Sequence, residues 1–478
     1  MTSITKKQYL LSGRRVDGLS MTEHRIGDYY LYTDEQLNTC ACRTADGKDV
    51  LLLGDAYCMD AVGKRAVEDV QSSPQAKLKE ATRFWTGKWV LITQNTLFTD
   101  ACGLMPAFYI NKDGSFLVSS SLALLSRELG MPSDRCVKAQ GLTWQMLPDT
   151  LLPGVSGLMC TQHLKLHGEC VTPEFCSWVE DQTALSTHEK CERLAELLVN
   201  GIKNVHAFSG RKLLLALTGG KDSRVTLCAL VRSGVPFDTY TAEHENISSS
   251  DKTVPAKLSK LAGVEHRYIK RAKLNTQLLQ DYMHFTAGNS NGADAQFYAC
   301  GQFDQIPSDA VVIRSGLYEA GQRYSRGLCD NTLEGLYRGI SQYYTELQKP
   351  GPQKHAFDQW IDYVKNHSIG GIDLRDRLYI EQRVGGWAAA IEQSLDMNDF
   401  ASIQIANCAA LLSVLLSANG QERERLALSY DTIRLLDDRM LRYDVNKVAL
   451  RDKLLRVKQI AKHPLATAGK FLNRSHGR

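Results

Sequence analysis

Apolar and polar positions alternate along RFWTGKWVLITQNTLFTDA (Arg83–Ala101), the two-residue period of a strand that buries one face. Gly87 and Asn95 stand where that run is expected to break. NKDG (Asn111–Gly114) separates FYI from SFLVS and predicts a hairpin turn. The strand after it gives way to a short helix along SLALLSRELG. Up to about Lys165 the chain reads as short strands and turns, which predicts a β-rich layered domain.

The period then changes. THEKCERLAELLVNGIKNV (Thr187–Val205) sets Cys191, Leu194, Leu197, Leu198, Ile202 and Val205 at helical spacing. Strand-like LLLAL (Leu213–Leu217) follows, then a helix along DSRVTLCALVRSG, a strand along FDTYTAE (Phe237–Glu243), a helix along DKTVPAKLSKLAG and a strand HRYI. Strands alternating with helices of this length imply a parallel sheet with crossovers. Gly234 and Gly263 fall where helix C-caps belong. A further strand, AVVIRSG (Ala310–Gly316), follows a mostly helical stretch. Beyond about Thr332 the pattern is helical nearly throughout, as in TIRLLDDRMLRY. The final RDKLLRVKQIAKHPLATAGKFLNRSHGR is basic, either a solvated tail or a docking surface for a partner or phosphate.

Composition narrows the class without naming it. The 478 residues favour two or three domains. Hydrophobic residues at 43% and charged residues at 23% suit a globular chain with full cores. A net charge of +4 is too mild to argue for nucleic acid or a membrane surface. The thirteen cysteines are scattered and odd in number, which reads as reduced thiols used in packing, not as a disulfide framework. MTSITKKQYLLSG has no long apolar region behind its lysines, and the longest apolar run, AALLSVLL (Ala409–Leu416), is far short of a membrane span. The expectation is a cytoplasmic protein.

One corner carries chemistry. LLLAL runs into TGGKDS (Thr218–Ser223) and then into a helix. Glycines let backbone N–H groups approach an anion, and a helix N-terminus adds its positive dipole end. Thr218 and Ser223 can donate hydroxyl hydrogen bonds to phosphate oxygens. Asp222 would repel a bare phosphate, so its presence points to Mg2+ between them. The loop is not of the G-x-x-x-x-G-K-[ST] type, because its glycines are adjacent and an aspartate separates lysine from serine. Lys221 and Arg224 either help neutralise phosphates or project from the helix start. Cys228, one turn on, reads as packing.

This loop resembles the S-G-G-x-D-S pyrophosphate loop of the N-type ATP pyrophosphatases. ISSSDKTVPAKLSKLAGVEHRYI (Ile247–Ile269) and VVIRSGLYEAGQRY (Val311–Tyr324) resemble the corresponding units of asparagine synthetases, with Asp251 at the acidic helix start and Ser315 and Gly316 at the strand end. Glu319 is the acid nearest that strand end; the family's adjacent Asp-Glu pair is absent. In the first half, TGKWVLI…LFTDACGLMPAFYINKDGSFLVSSSLALL is similar to the glutaminase-type domain of the same family. LLPGVSGLMCTQHLKL (Leu151–Leu166) is similar to its closing segment, with Cys-Thr where Pro-Gly is expected. The family's nucleophilic cysteine after the initiator Met is replaced by Thr2, and the first strand starts only near Tyr9.

The resemblance implies an α/β protein in three parts. Residues 1–180 form a layered α+β, N-terminal-nucleophile-type glutaminase-like domain without its cysteine. Residues 187–330 form a parallel-sheet, adenine-nucleotide α-hydrolase-like synthetase core, and 331–478 its helical C-terminal part with the basic tail. The implied activity is ATP-dependent, AMP- and pyrophosphate-forming amide ligation, independent of glutamine, as in β-lactam and lasso-peptide macrolactam synthetases. Its substrates would be a small-molecule or peptide carboxylate and an amine. ATP and Mg2+ are the implied cofactors; a homodimer is compatible with the sequence, and no membrane or nucleic-acid partner is implied. Nucleotide-binding positions are Leu217, Thr218, Gly219, Gly220, Asp222, Ser223, Thr241, Ser315 and Gly316, with Leu217 and Thr241 framing the adenosine. Metal positions are Asp222, Asp251 and Glu319. Catalytic positions are Asp222, Glu319 and Lys447, the last resembling the lysine of the family's C-terminal lobe; Arg323 and Arg326 are further cations. Two rivals stay open: adenylation of a nucleobase oxygen on the same loop, and a non-catalytic ATP-binding module.

Overall fold

The computed structural model describes residues 3–132, 135–244, 247–322 and 327–445. Thr2, Arg323, Arg326, Lys447 and the basic tail lie outside these residues.

Two six-stranded antiparallel sheets build the first half. One runs Ser156–Gly157, Phe108–Lys112, Ser115–Ser119, Tyr9–Ser12, Tyr29–Thr33, Thr22–Ile26; the other runs Cys170–Phe175, Gln162–His167, Thr96–Thr99, Trp85–Thr93, Asp49–Cys58, Thr39–Arg43. Tyr9, Leu11 and Val118 of the first meet Leu53, Val90 and Ile92 of the second in a shared core. Each sheet also buries its outer face: Leu10 and Phe108 pack near the helix Leu122–Leu129, and Leu52, Trp89 and Leu91 near the helix Ala66–Ser72. Four layers result, so several strands are apolar on both sides. Asp113 and Gly114 both take positive φ, 53° and 65°, at the expected hairpin, as a two-residue primed turn requires.

Gly87 departs from expectation. It does not break its strand but lies inside Trp85–Thr93, paired with Ala56 at φ +116°. A Cβ there would stand 2.0 Å from the Asp55 carbonyl oxygen. Gly87→Ala should therefore cost about 3 kcal/mol, from backbone strain and overlap together, read as a lowered urea midpoint with an unchanged slope.

The second half is built on a five-stranded parallel sheet, ordered His266–Ile269, Phe237–Ala242, Lys212–Ala216, Ala310–Arg314, Ala401–Gln404. The last strand corrects the expectation of a nearly all-helical segment beyond 332. Leu213, Leu215, Val311 and Ile313 face one core and Leu214, Tyr240 and Val312 the other. The long helix Thr187–Ser209 opens on a Ser186/Glu189 capping box and buries all six residues expected on its apolar face. Gly234 and Gly263 close their helices at φ 72°. Among the described residues no helix is long and apolar enough to cross a membrane. All thirteen cysteines are free thiols.

A joint of buried polar groups connects the sheets. Asn407 donates to Gly87 O (2.6 Å) and to Asp100 Oδ1 (2.8 Å), and accepts from the Cys102 amide (3.1 Å). Lys6 reaches Met397 O and Asp399, while Lys7 reaches Asn398 O and Phe400 O at 2.7 and 2.9 Å. The residues just before the first strand are thus spent on a clamp over 396–400.

Candidate active site

The sheet order places Lys212–Ala216 and Ala310–Arg314 side by side with their crossovers running to opposite edges. Such a switch point leaves a crevice at the carboxyl ends of the strands, where open α/β sheets bind ligands. TGGKDS fills that corner. Leu217 N–H donates to Tyr240 O (2.8 Å), and Thr241 Oγ1 donates to Leu217 O (2.6 Å). Those two bonds fix where the strand ends.

The loop is cross-braced. Thr218 N–H donates to Ser223 Oγ (3.2 Å), and the two hydroxyls lie 3.0 Å apart. Gly219 N–H donates to Asp251 Oδ1 (2.7 Å) and Gly220 N–H to Thr218 Oγ1 (3.2 Å). These two amides, expected to meet phosphate, are engaged within the protein. Asp251 itself is held at its helix start, with Ser248 Oγ donating to its Oδ2 (2.8 Å). Gly219 also has no room for a side chain, since a Cβ would lie 2.2 Å from Ser250 Oγ. The helix Lys221–Ser233 begins at Gly220 with no side-chain cap, which leaves its first-turn amides for an anion.

Arg224 neither faces phosphate nor projects from the helix start. It is fully buried, donating through Nη2 to Gly219 O (3.2 Å) and through Nη1 to Met440 O (2.9 Å) and Tyr443 O (2.6 Å). It ties the loop to the segment leading toward 445. Cys228 is buried, as expected of a packing residue.

Around this frame several polar atoms are unsatisfied. Asp222 Oδ1, Ser250 Oγ and Ser315 Oγ are buried without hydrogen-bond partners, although Lys221 Nζ stands 3.0 Å from Asp222 Oδ1. Buried polar atoms without partners are rare enough to need a reason. Glu319 sits on the turn Tyr318–Gly321, reached through Leu317 at φ +73°, a strained conformation of the kind that clusters at functional sites. Its side chain reaches solvent, yet crowding protein atoms raise its carboxyl above the ordinary range, and Asp222 adds to the rise while Lys221 and Arg383 oppose it. Two acids with electrostatic sight of each other thus flank the loop. Among the described residues no three metal-ligating side chains gather, so a cation here would take Asp222 and Glu319 and complete its shell with water or phosphate, as Mg2+ commonly does.

Gly316 N–H donates to Gln404 Oε1 (2.8 Å), which fixes the neighbouring strand end. Two residues that sequence reasoning missed approach from the π-helical segment Tyr379–Ala388. Burial pushes the Tyr379 phenol up, with Glu319 a secondary cause. Arg383 lies over Trp387 (3.7 Å) and Trp144 (5.0 Å). YIEQRVGGWA carries no motif that would have revealed them. Beside the loop, Leu217, Thr218, Thr241 and Asp251 line a cavity of about 280 Å³.

No family model and no curated protein matches the chain. Solved structures that are similar to it include NMN synthetase from Francisella tularensis, at 15% identity over 42% of this chain and 94% of that one, with a TM-score of 0.22. An allosteric regulatory enzyme of purine biosynthesis is similar at 9% identity over 71% and 88%, with a TM-score of 0.25. Glutamine phosphoribosylpyrophosphate amidotransferase from B. subtilis, complexed with ADP and GMP, is similar at 11% over 70% and 74%, with a TM-score of 0.23. At scores this low the likeness assigns neither fold nor function.

Proposed function

We propose that this chain is an ATP-dependent carbon–nitrogen ligase that activates a carboxylate as an acyl-adenylate for attack by an amine. The observation that carries this is the uncapped helix start behind TGGKDS, flanked by Asp222, whose Oδ1 has only the Lys221 ion pair among the described residues, and by Glu319. In this reading 187–330 is the synthetase core, 331–478 its C-terminal part, and 1–180 a glutaminase-like scaffold.

A substrate carboxylate oxygen attacks the α-phosphorus of ATP, and the bond from that phosphorus to the bridging oxygen breaks, releasing pyrophosphate. First-turn amides of the helix Lys221–Ser233 and the hydroxyls of Thr218 and Ser223 hold the departing charge. Gly219 and Gly220 amides join them when Asp251 and Thr218 Oγ1 give way. Donors fixed in advance at the place where charge develops are the strongest catalytic device such a site can offer. Asp222 and Glu319 would hold Mg2+, which would supply further charge neutralisation. The amine then attacks the acyl carbon, AMP leaves, and the amine nitrogen loses a proton. Arg383, whose charge acts on Glu319, is the cation we assign to steadying the acyl oxygen in that step; Lys447, the sequence candidate, lies outside the described residues.

Exchange of labelled pyrophosphate into ATP, with Mg2+ and pools of carboxylic acids or peptides, tests this. Carboxylate-dependent exchange is expected; ADP as the product would refute adenylation. A second reading, a non-catalytic nucleotide module, draws on the internally bonded Gly219 and Gly220 amides. It predicts ATP binding without exchange.

The scaffold reading has its own outcome. The residues leading into the first strand, Lys6, Lys7 and Gln8, hold the 396–400 segment, which supports a scaffold role for that end. No ammonia should be released from glutamine, by a coupled dehydrogenase assay.

A further inference from the structure

The 280 Å³ cavity beside the loop has a composition of its own. Its walls are largely aromatic and aliphatic: His244, Phe297, Phe303 and Phe400 stand in a chain of ring contacts with centroids 6.0 to 6.5 Å apart, and Leu217 and Val312 add aliphatic surface. Flat, apolar walls suit a planar ring, and the volume suits a base better than a whole nucleotide.

Besides Asp251 of the loop brace, Arg314 and Asp294 bring charged side chains to this slot. Arg314 is already committed. Its Nη1 donates to Glu392 Oε1 (2.8 Å), and Glu392 is itself fixed by Ser402 and Gln404. Asp294 is different. It starts the short helix Ala293–Ala299, and among the described residues its carboxyl has no hydrogen bond or ion pair to another residue. Burial holds it above the usual carboxylate range, Glu392 adds to this, and Arg314 opposes without touching it. A carboxyl that, beyond its own backbone N–H, bonds no other described residue in a largely apolar slot is costly unless a ligand satisfies it.

We propose that Asp294 reads the base of the nucleotide, accepting a hydrogen bond from the exocyclic amine of adenine and so selecting ATP. This rests on the ligase reading, since it needs a nucleotide with its phosphates on TGGKDS. Thr218 and Asp251 line the slot and also brace the loop, so a base seated there leads its phosphates toward the helix start. Adenine offers a donor at its 6-position. Guanine offers a carbonyl oxygen there, which would face the Asp294 oxygens acceptor to acceptor. Selectivity then comes from a half-buried acceptor that only the correct base satisfies.

The test compares ATP with purine riboside triphosphate, which has hydrogen in place of the 6-amine, and with GTP. Pyrophosphate exchange and equilibrium binding are both read on the full chain. Wild type should favour ATP over the deamino analogue by about tenfold, the worth of one hydrogen bond, and should reject GTP more strongly. Asp294→Ala should bring the ratio of ATP to the deamino analogue close to one. Asp294→Asn, whose amide oxygen can still accept, should restore most of it. Melting temperatures near wild type show that both variants fold. An unchanged ratio in Asp294→Ala, or a wild type that does not discriminate, overturns the role of Asp294 and leaves the ligase standing. Absence of ATP binding to the wild type overturns both.

Discussion

Asp222→Ala is expected to slow pyrophosphate exchange by roughly 100- to 1000-fold and to leave the melting temperature nearly where it was. Among the described residues Asp222 Oδ1 makes no hydrogen bond, and its removal takes away one ion pair, with Lys221 Nζ 3.0 Å away. The fold loses an acid in the first turn of the helix Lys221–Ser233, worth about 0.5 kcal/mol. It also gains relief from the repulsion between Asp222 and Glu319. Function loses far more. Without that carboxylate, the negative charge growing on pyrophosphate has lost the group placed to hold its counter-ion. Losses of electrostatic stabilisation of this kind run to about 3–4 kcal/mol, or roughly 100- to 1000-fold in rate. Exchange by the variant within tenfold of wild type would remove Asp222 from the chemistry.

The largest effect on stability is expected at Asp100. Its oxygens accept from the amides of Cys102 (3.2 Å), Leu104 (2.9 Å) and Met105 (2.9 Å), and from Asn407 Nδ2 (2.8 Å). It is 1% exposed, so none of these donors can turn to water after Asp100→Ala. Several buried donors left unpaired cost about 4 kcal/mol together, measured as a shift in the denaturant midpoint. Asn407 also bonds Gly87, so the loss loosens both the sandwich and the parallel sheet. A drop below about 1 kcal/mol would show that the joint contributes little. The pH dependence has a definite sign. Burial raises the Asp100 carboxyl above its ordinary value, while the four hydrogen bonds named above hold it down. The folded state therefore keeps its proton longer than the unfolded chain. The contribution of this group to stability falls as pH rises from the ordinary carboxylate value through the raised one.

The sequence made some of this legible and hid the rest for physical reasons. The loop and its helix were readable because an anion corner needs glycines and a helix start together, and few other needs produce TGGKDS. The helix Thr187–Ser209 was readable because one face alone is buried. Asp49–Cys58 was not, since a strand covered on both faces shows LLL instead of an alternation. Ala401–Gln404 was missed because four residues between helices give too short a pattern. Gly87 looked like a break because a glycine needed for close backbone approach is identical in sequence to one that ends a strand. Around the site, Asp251 and Arg224 were nameable as charged residues near the loop, but only coordinates show that one bonds a glycine amide and the other is buried beneath it. Asp294, Tyr379 and Arg383 come from segments distant in sequence. Nothing local marks them.

The clamp by Lys6 and Lys7 also sets an order of events during synthesis. Its partners lie 391 to 393 positions later in the chain. At about 5–20 residues per second, roughly 20–80 seconds separate the emergence of the two ends of that contact. The sandwich has all its strands by Phe175, so it is free to assemble on the ribosome while the Lys6 and Lys7 ammonium groups still lack their partners at 397–400. The final tether forms only once residue 400 has cleared the exit tunnel. A nascent chain stalled before that point should display a folded sandwich whose Lys6 and Lys7 side chains remain open to an amine-reactive label.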